Sequence, residues 1–276
     1  MYSMASGEKT YLLADMHIKP LDAPNRRARE DAVRDNEMLA GFLASIEGKA
    51  KSLVLLGDTF NFWAERRSKI VGDYLVPLNL FKAASDSGLD IHHVSGNRDF
   101  VVGEGLGFDS STRYPGFLKL KGMFTVSRLA DFGIEPHGPR YRLHQAGKTI
   151  TCVHGDSLCS NDTLFMLLRW LLQNRWSKMI WRRAPWSLIE MAVAHQQGRM
   201  TVRNGPGRSG DIFGEDAIRR ELIMGGDILV CGHIHAGYQR DVVIADREKK
   251  LVSIPPWLDG WYGVVENGVV RVEKFS

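Results

Sequence analysis

Five short pieces of this 276-residue chain carry side chains able to ligate metal or grip phosphate: Asp15-Met16-His17, Gly57-Asp58, Gly96-Asn97-Arg98-Asp99, His154-Gly155-Asp156 and Gly232-His233-Ile234-His235. Together they offer carboxylate, amide and imidazole donors, a mixture that suits Mn, Fe or Zn better than Mg alone. Asp15 and His17 are two apart, as are His233 and His235, so in extended strands each pair would share a face. Singly each piece is weak, because a lone His at a strand end is more often a hydrogen-bonded loop residue than a ligand. As a set they are specific: each follows an apolar run, and glycines let the backbone come close to a site. Seven ligands suffice for two divalent ions sharing one carboxylate. Paired cations can hold phosphoryl oxygens, activate a water and stabilise an in-line displacement.

The apolar runs that must position these pieces, at 11–14, 53–56, 91–94, 150–153 and 228–231, read as buried strands. Residues 26–46 have helical spacing, with Val33, Leu39, Phe42 and Leu43 tending to one face, and 76–84 suggests a second helix before Ser87-Gly88. The alternation predicts an α/β fold with its functional loops at strand ends. Residues 250–275 read as strands and turns, with Asn267-Gly268 between apolar runs predicting a hairpin. Two segments break the alternation. Residues 103–138, rich in Gly, Pro, Ser and Thr, read as an irregular insertion. Residues 163–208 start helical and turn polar and Gly-rich, as a cap would, leaving 1–162 and 209–276 as the core.

Composition narrows the class. With 44% hydrophobic and 25% charged residues, and Lys+Arg 36 against Asp+Glu 32 for a net charge of +4, the chain is ordinary globular protein, not a disordered one. The most apolar stretch, 163–180, is broken by Arg169, Arg175 and Lys178, which excludes a membrane span there. The start, MYSMASGEKT, lacks the basic and apolar regions of a cleavable signal. Cys152, Cys159 and Cys231 are odd in number and lack CxxC spacing, which fits a reducing cytoplasm; Cys159 reads as a packed thiol.

The five pieces resemble the calcineurin-like metallophosphoesterase family, whose pattern is D-x-H, G-D, G-N-H-D/E, a later His and G-H-x-H. The resemblance runs from Asp15 to His235 and implies a two-layer αββα sandwich around a dimetal centre. Carried over residue by residue, it assigns Asp15, His17 and His235 to one metal, Asn97, His154 and His233 to the other, and Asp58 to both. Asp58, His154 and Arg98 then count as catalytic, with Mn²⁺ the expected metal and Fe or Zn the alternatives.

One departure narrows the chemistry. Many members have His after the Asn of the third motif, whereas this chain has Arg98, which cannot act as a proton donor near neutral pH but can bind phosphate oxygens bidentately. An activated leaving group, such as a phosphate leaving a pyrophosphate, suits that exchange. The competing reading is a structural ion pair of Arg98 with Asp99. Asp99 and Asp156 are expected to orient neighbouring groups, not to ligate metal.

Gly96–Phe100 and the later HGDSLCSND stretch also look like the UDP-2,3-diacylglucosamine pyrophosphohydrolase branch of lipid A synthesis, peripheral membrane enzymes with a helical cap. That resemblance implies pyrophosphate cleavage to UMP and an acylated sugar 1-phosphate, and places Asp162 against substrate. Ser160 and Asn161 replace a Thr and an Asp of that branch. The acidic run after its Gly-Asp motif and a cap signature S-x-x-x-N-x-x-K are absent here.

Residues 163–208 hold eight basic residues, one acidic residue, Glu190, and Trp170, Trp176, Trp181 and Trp186. Such a segment suits an anionic membrane surface, here the cytoplasmic face of the inner membrane, or a diphosphate with acyl chains. The plainer reading is a helical subdomain with a small core of its own. A basic groove with aromatics also fits single-stranded nucleic acid, the weaker reading. Three functions follow in order: a nucleotide-lipid pyrophosphohydrolase, a phosphoesterase acting on a soluble nucleotide diphosphate, phosphodiester or DNA, and a non-catalytic scaffold. His92 and His93 read as strand or edge residues, and Pro255-Pro256-Trp257 as a rigid loop able to wall a pocket.

Overall fold

The computed structural model describes residues 8–21, 26–61, 63, 72–99, 129–159 and 213–275. The 163–208 cap and Asp162 lie outside them. Among the described residues no helix is long and apolar enough to cross a membrane.

Two sheets make the frame. The first has six strands in the order β11-β10-β1-β2-β3-β4, built from β1 (Lys9–Leu13), β2 (Ala50–Leu55), β3 (Asp90–His93), β4 (Ile134–Pro136), β10 (Trp261–Glu266) and β11 (Val269–Lys274). Strands β1 to β4 run parallel, while β10 and β11 are antiparallel additions. The second sheet has the order β5-β6-β7-β9-β8, from β5 (Arg140–Gln145), β6 (Lys148–Val153), β7 (Ile228–Cys231), β8 (Tyr238–Ile244) and β9 (Arg247–Ser253), with β6, β7 and β9 parallel.

The inner strands of both sheets are covered on both faces at their carboxyl ends, and successive residues choose opposite sides. Leu13, Leu53 and Leu55 pack outward beneath helices α1 (Arg26–Ile46) and α2 (Leu75–Asp86), against Leu39, Phe42, Leu78 and Phe81. Their neighbours Leu12 and Val54 face inward to meet Ile150, Cys152, Val230 and Val252 of the second sheet. On the far side Val153, Leu229 and Leu251 meet Ile218 and Leu222 of α3 (Glu215–Ile223). Two-sided burial explains why these strands read as unbroken apolar runs. The layering is the αββα sandwich that the sequence led us to expect.

Helix α1 matches its predicted bounds, but Val33 is exposed; the buried stripe runs through Ala32, Asn36, Leu39, Phe42, Leu43 and Ile46, the true 3.6-residue repeat. The hairpin at Asn267-Gly268 is present, both residues having positive φ and Glu266 pairing with Val269. The end of the 103–138 segment is not irregular. Residues Ile134–Pro136 add parallel to β3 as the sheet's edge, where Pro136, lacking an N–H, is tolerated. A three-residue strand containing proline has no periodicity to betray it.

Candidate metal centre

All five pieces sit at the carboxyl ends of parallel strands: Asp15 after β1, Asp58 after β2, Asn97 after β3, His154 after β6, and His233 and His235 after β7. Because the two sheets stack with these ends together, loops from both meet across the sandwich. Two contacts bridge the sheets directly. The His154 ring pairs through Nδ1 with the Leu56 carbonyl at 2.9 Å, and the His233 backbone N–H donates to Asp15 Oδ2 at 2.7 Å.

Strand alternation does not produce the convergence. Asp15, His17, Asp58, His233 and His235 all adopt left-handed backbone, with φ of 50°, 44°, 50°, 71° and 55°. Each such residue costs about 1 kcal/mol or more, so the pairs meet on strained turns instead of sharing a strand face. Glycine makes the approach feasible: a Cβ on Gly96 would run into the carboxylate and backbone N of Asp58, and one on Gly232 would lie 2.6 Å from Asp15 Oδ2.

The seven candidate ligands come together. His17 Nε2 lies 3.3 Å from His235 Nε2, which is 3.6 Å from Asp15 Oδ1. His154 Nε2 lies 3.0 Å from Asn97 Oδ1, 3.1 Å from His233 Nδ1 and 3.6 Å from Asp58 Oδ1. The other Asp58 oxygen, Oδ2, faces His17 Nδ1 at 3.9 Å. Asp15–His17–His235 and Asp15–Asp58–His154 each form a compact donor cluster able to hold an ion. These residues fit divalent cations well. With Nδ1 of His154 turned to Leu56 O, its Nε2 converges on Asn97 Oδ1 and the His233 ring, a gathering of donor atoms that a divalent cation would satisfy.

Charge follows from burial. Asp58 is pushed up to about 7, by burial first and by Asp99 and Asp15 after it, against the pull of His154 and Arg98. Burial works against a charged His154, but Asp58, Asp15 and Asp156 outweigh it and raise the imidazole to about 9. Burial also opposes the Asp15 anion, yet its hydrogen bond with His235 and the nearby His154 hold it well below the usual carboxylate range. His17 falls to about 3 through burial and Arg98, and His233 to about 4 through burial and His154. Without metal, a proton on His154 fills the cation's place.

Loading must expel that proton. Between pH 7 and 9 the affinity of the metal-free protein for Mn²⁺ is therefore expected to rise at least about tenfold per pH unit, since His235, which Asp15 raises against the effect of burial, must also give up any proton it holds, and more steeply below 7, where Asp58 is protonated too. Calorimetric titration across this range checks it; a pH-independent affinity would count against the arrangement.

The surrounding residues are set by partners that spacing could not reveal. Asp99 is fully buried and does not pair with Arg98; its Oδ1 accepts the Gly96 N–H at 2.7 Å, and its Oδ2 accepts the Thr59 N–H at 2.8 Å and His93 Nε2 at 2.9 Å. It thereby pins the loop carrying Asn97. Arg98 turns instead to Asn61 Oδ1 at 2.5 Å and lies 3.6 Å from Asp58 Oδ2. Beneath it the buried Trp63 stacks on Phe60, their ring centres 4.8 Å apart. Pro255 and Pro256 line a cleft of about 470 Å³ beside His235, with Tyr238 and Trp261, whereas Trp257 is buried in the core. Cys152 and Cys231 are buried, and burial pushes both thiols up, that of Cys152 to about 12.

Comparison with known proteins agrees with this geometry. The family model for calcineurin-like phosphoesterase matches residues 9–237. A UDP-2,3-diacylglucosamine hydrolase of Pseudomonas putida (strain W619) is 26% identical over 276 residues, covering 96% of this chain and 98% of that protein. The namesake from Ectopseudomonas mendocina (strain ymp) is 26% identical, covering 91% of each chain. That from Vibrio vulnificus (strain CMCP6) is 27% identical over 68% of this chain and 64% of its own length. With the family match spanning every one of the five pieces and their donors gathered at one end of the sandwich, the chain belongs to the calcineurin-like phosphoesterase family as a metal-dependent phosphoester hydrolase.

Proposed function

We propose that this chain cleaves the pyrophosphate bond of UDP-2,3-diacylglucosamine, releasing UMP and the acylated sugar 1-phosphate. The observation that carries the reading is the placement of Arg98, fixed against Asp58 and Asn61 at the metal centre. A guanidinium there binds phosphate oxygens and stays protonated, so it suits a diphosphate, whose departing phosphate needs little protonation. The near full-length similarity to hydrolases named for this substrate supports it.

In this reading Asp15, His17 and His235 would hold one divalent ion, Asn97, His154 and His233 a second, and Asp58 would be shared between them. Mn²⁺ is the metal we propose. Bound ions of this kind neutralise phosphoryl charge and activate water. The chain's own residues supply the rest: Leu56 O fixes the His154 ring, Asp99 fixes the loop bearing Asn97, and Arg98 orients the phosphates. Asp162 contacts substrate, and the basic, Trp-rich 163–208 segment rests on the cytoplasmic face of the inner membrane.

The test is hydrolysis of UDP-diacylglucosamine beside a soluble nucleotide sugar and an aryl phosphodiester, each with Mn²⁺ and with chelator. Metal-dependent UMP release at least about tenfold faster from the lipid is expected. Preference for the soluble esters would refute the substrate and leave the hydrolase; silence on all three would refute the proposed substrate and mean that the hydrolase acts on another.

A further inference from the structure

A second group of metal-binding side chains lies at the edge of the first sheet, and none of its members belongs to the centre described above. His92 of β3 is the register partner of Glu135 on β4, so their side chains share the face turned towards the second sheet. His137, two residues past Glu135, reaches the same face. His92 is buried, 5% exposed, and its ring stacks on Tyr141 of β5 at 4.4 Å; His137 packs on the same ring at 4.5 Å.

Three donor atoms form a small triangle there. His92 Nδ1 is 3.0 Å from His137 Nε2 and 3.4 Å from Glu135 Oε2, and His137 Nε2 is 3.7 Å from the same oxygen. Ligands about 2.0–2.1 Å from a tetrahedral ion lie roughly 3.3 Å apart, in the middle of that range. The separations also match those among His17, His235, His154 and His233 at the main centre. Burial, with His137 nearby, keeps the His92 imidazole below its ordinary range, hence in the neutral form that binds metal.

We propose that His92, Glu135 and His137 form a separate site for a late first-row divalent cation, Zn²⁺ foremost, with two imidazoles, one carboxylate and an open fourth position. The donor set is nitrogen-rich and lacks the oxygens that Mg²⁺ or Ca²⁺ demand. An ion there ties the short edge strand β4 to β3. The same segment supports the main centre, since the His137 N–H donates to His93 O at 2.9 Å and Gly138 O accepts the Ser95 N–H at 2.7 Å, one residue before Gly96. Occupancy therefore stiffens the base of the loop that carries Asn97 and Arg98.

The experiment counts zinc in the full chain, stripped with chelator, dialysed against Zn²⁺ and passed over a desalting column. Glu135→Gln, at an exposed position, and His137→Gln, near the rim, are compared with the parent. One zinc fewer per chain in each folded variant, with a smaller zinc-induced rise in melting temperature, is expected. Equal zinc content in parent and both variants would overturn the proposal. Glu135→Gln leaves the backbone bonds of His137 and Gly138 to the main-centre loop untouched, so a zinc lost in that variant is not lost through the main centre.

Discussion

Asp58→Ala is expected to lower metal-dependent hydrolysis at least about a thousandfold while leaving the fold intact, and His154→Ala to lower it by as much. Asp58 is the residue whose two oxygens face opposite halves of the donor cluster, His154 on one side and His17 on the other. Its loss separates the two halves of the donor cluster, and metal-ion stabilisation of phosphoryl charge is worth several kcal/mol at about 1.4 kcal/mol per tenfold in rate. The fold should tolerate the change because Asp58 makes a poor structural anion. Its carboxyl is raised to about 7, above the unfolded value of 3.8, so its ionisation penalises the metal-free fold. The sign is that of a raised acid: any stability it lends is present at low pH and lost as pH climbs through about 7. Steady-state kinetics with Mn²⁺, paired with a circular-dichroism melt of the metal-free proteins at pH 8, separates the two effects. Substantial turnover by either folded variant would remove these residues from the chemistry.

Gly96→Ala is the second large effect, from a residue with no functional group. The backbone of Gly96 does not require glycine, since its φ is not positive; what excludes a methyl group is the Asp58 carboxylate and N–H lying against its Cα. Adding the methyl must displace Asp58 or lift the loop that holds Asn97. Displaced supporting groups of this kind cost about 10–100-fold in metal affinity or activity, and a loss of at least that size is expected here. Gly88→Ala is the control, at φ +99° but with open space around the added carbon. It should lower stability by about 1 kcal/mol and leave turnover alone. Metal titration and kcat measured on both proteins make the comparison. Equal activity in the two would show that Asp58 does not need the space.

The contrast between these glycines marks where sequence reading works and where it stops. Leu12, Leu13, Val54 and Leu55 announce their strands because the inner strands they belong to are buried on both faces, and α1 announces itself through seven buried positions at helical spacing. The donors of the main centre are legible for a similar reason, since each immediately follows such a strand. Their backbone is not. Two-residue spacing in Asp15–His17 and His233–His235 suggests a shared strand face, whereas both pairs occupy left-handed turns that only tertiary contacts can hold in place. Partnerships across long separations are equally hidden: His92 meets His137 45 residues away, and Arg98 finds Asn61 37 residues back. Proline in β4 and a helix stripe that bypasses Val33 show the same limit at the level of single elements.

The contacts from His154 to Leu56 and from His233 to Asp15 also set an order of events during biogenesis. Donors from the first 97 residues and donors from positions 154 to 235 must be present together, so a nascent chain halted after β3 holds only half a centre. Such long-range closure comes late in folding. A partly synthesised chain therefore cannot assemble the full donor set, and metal selection falls to the finished protein and to whatever cation the cell then supplies.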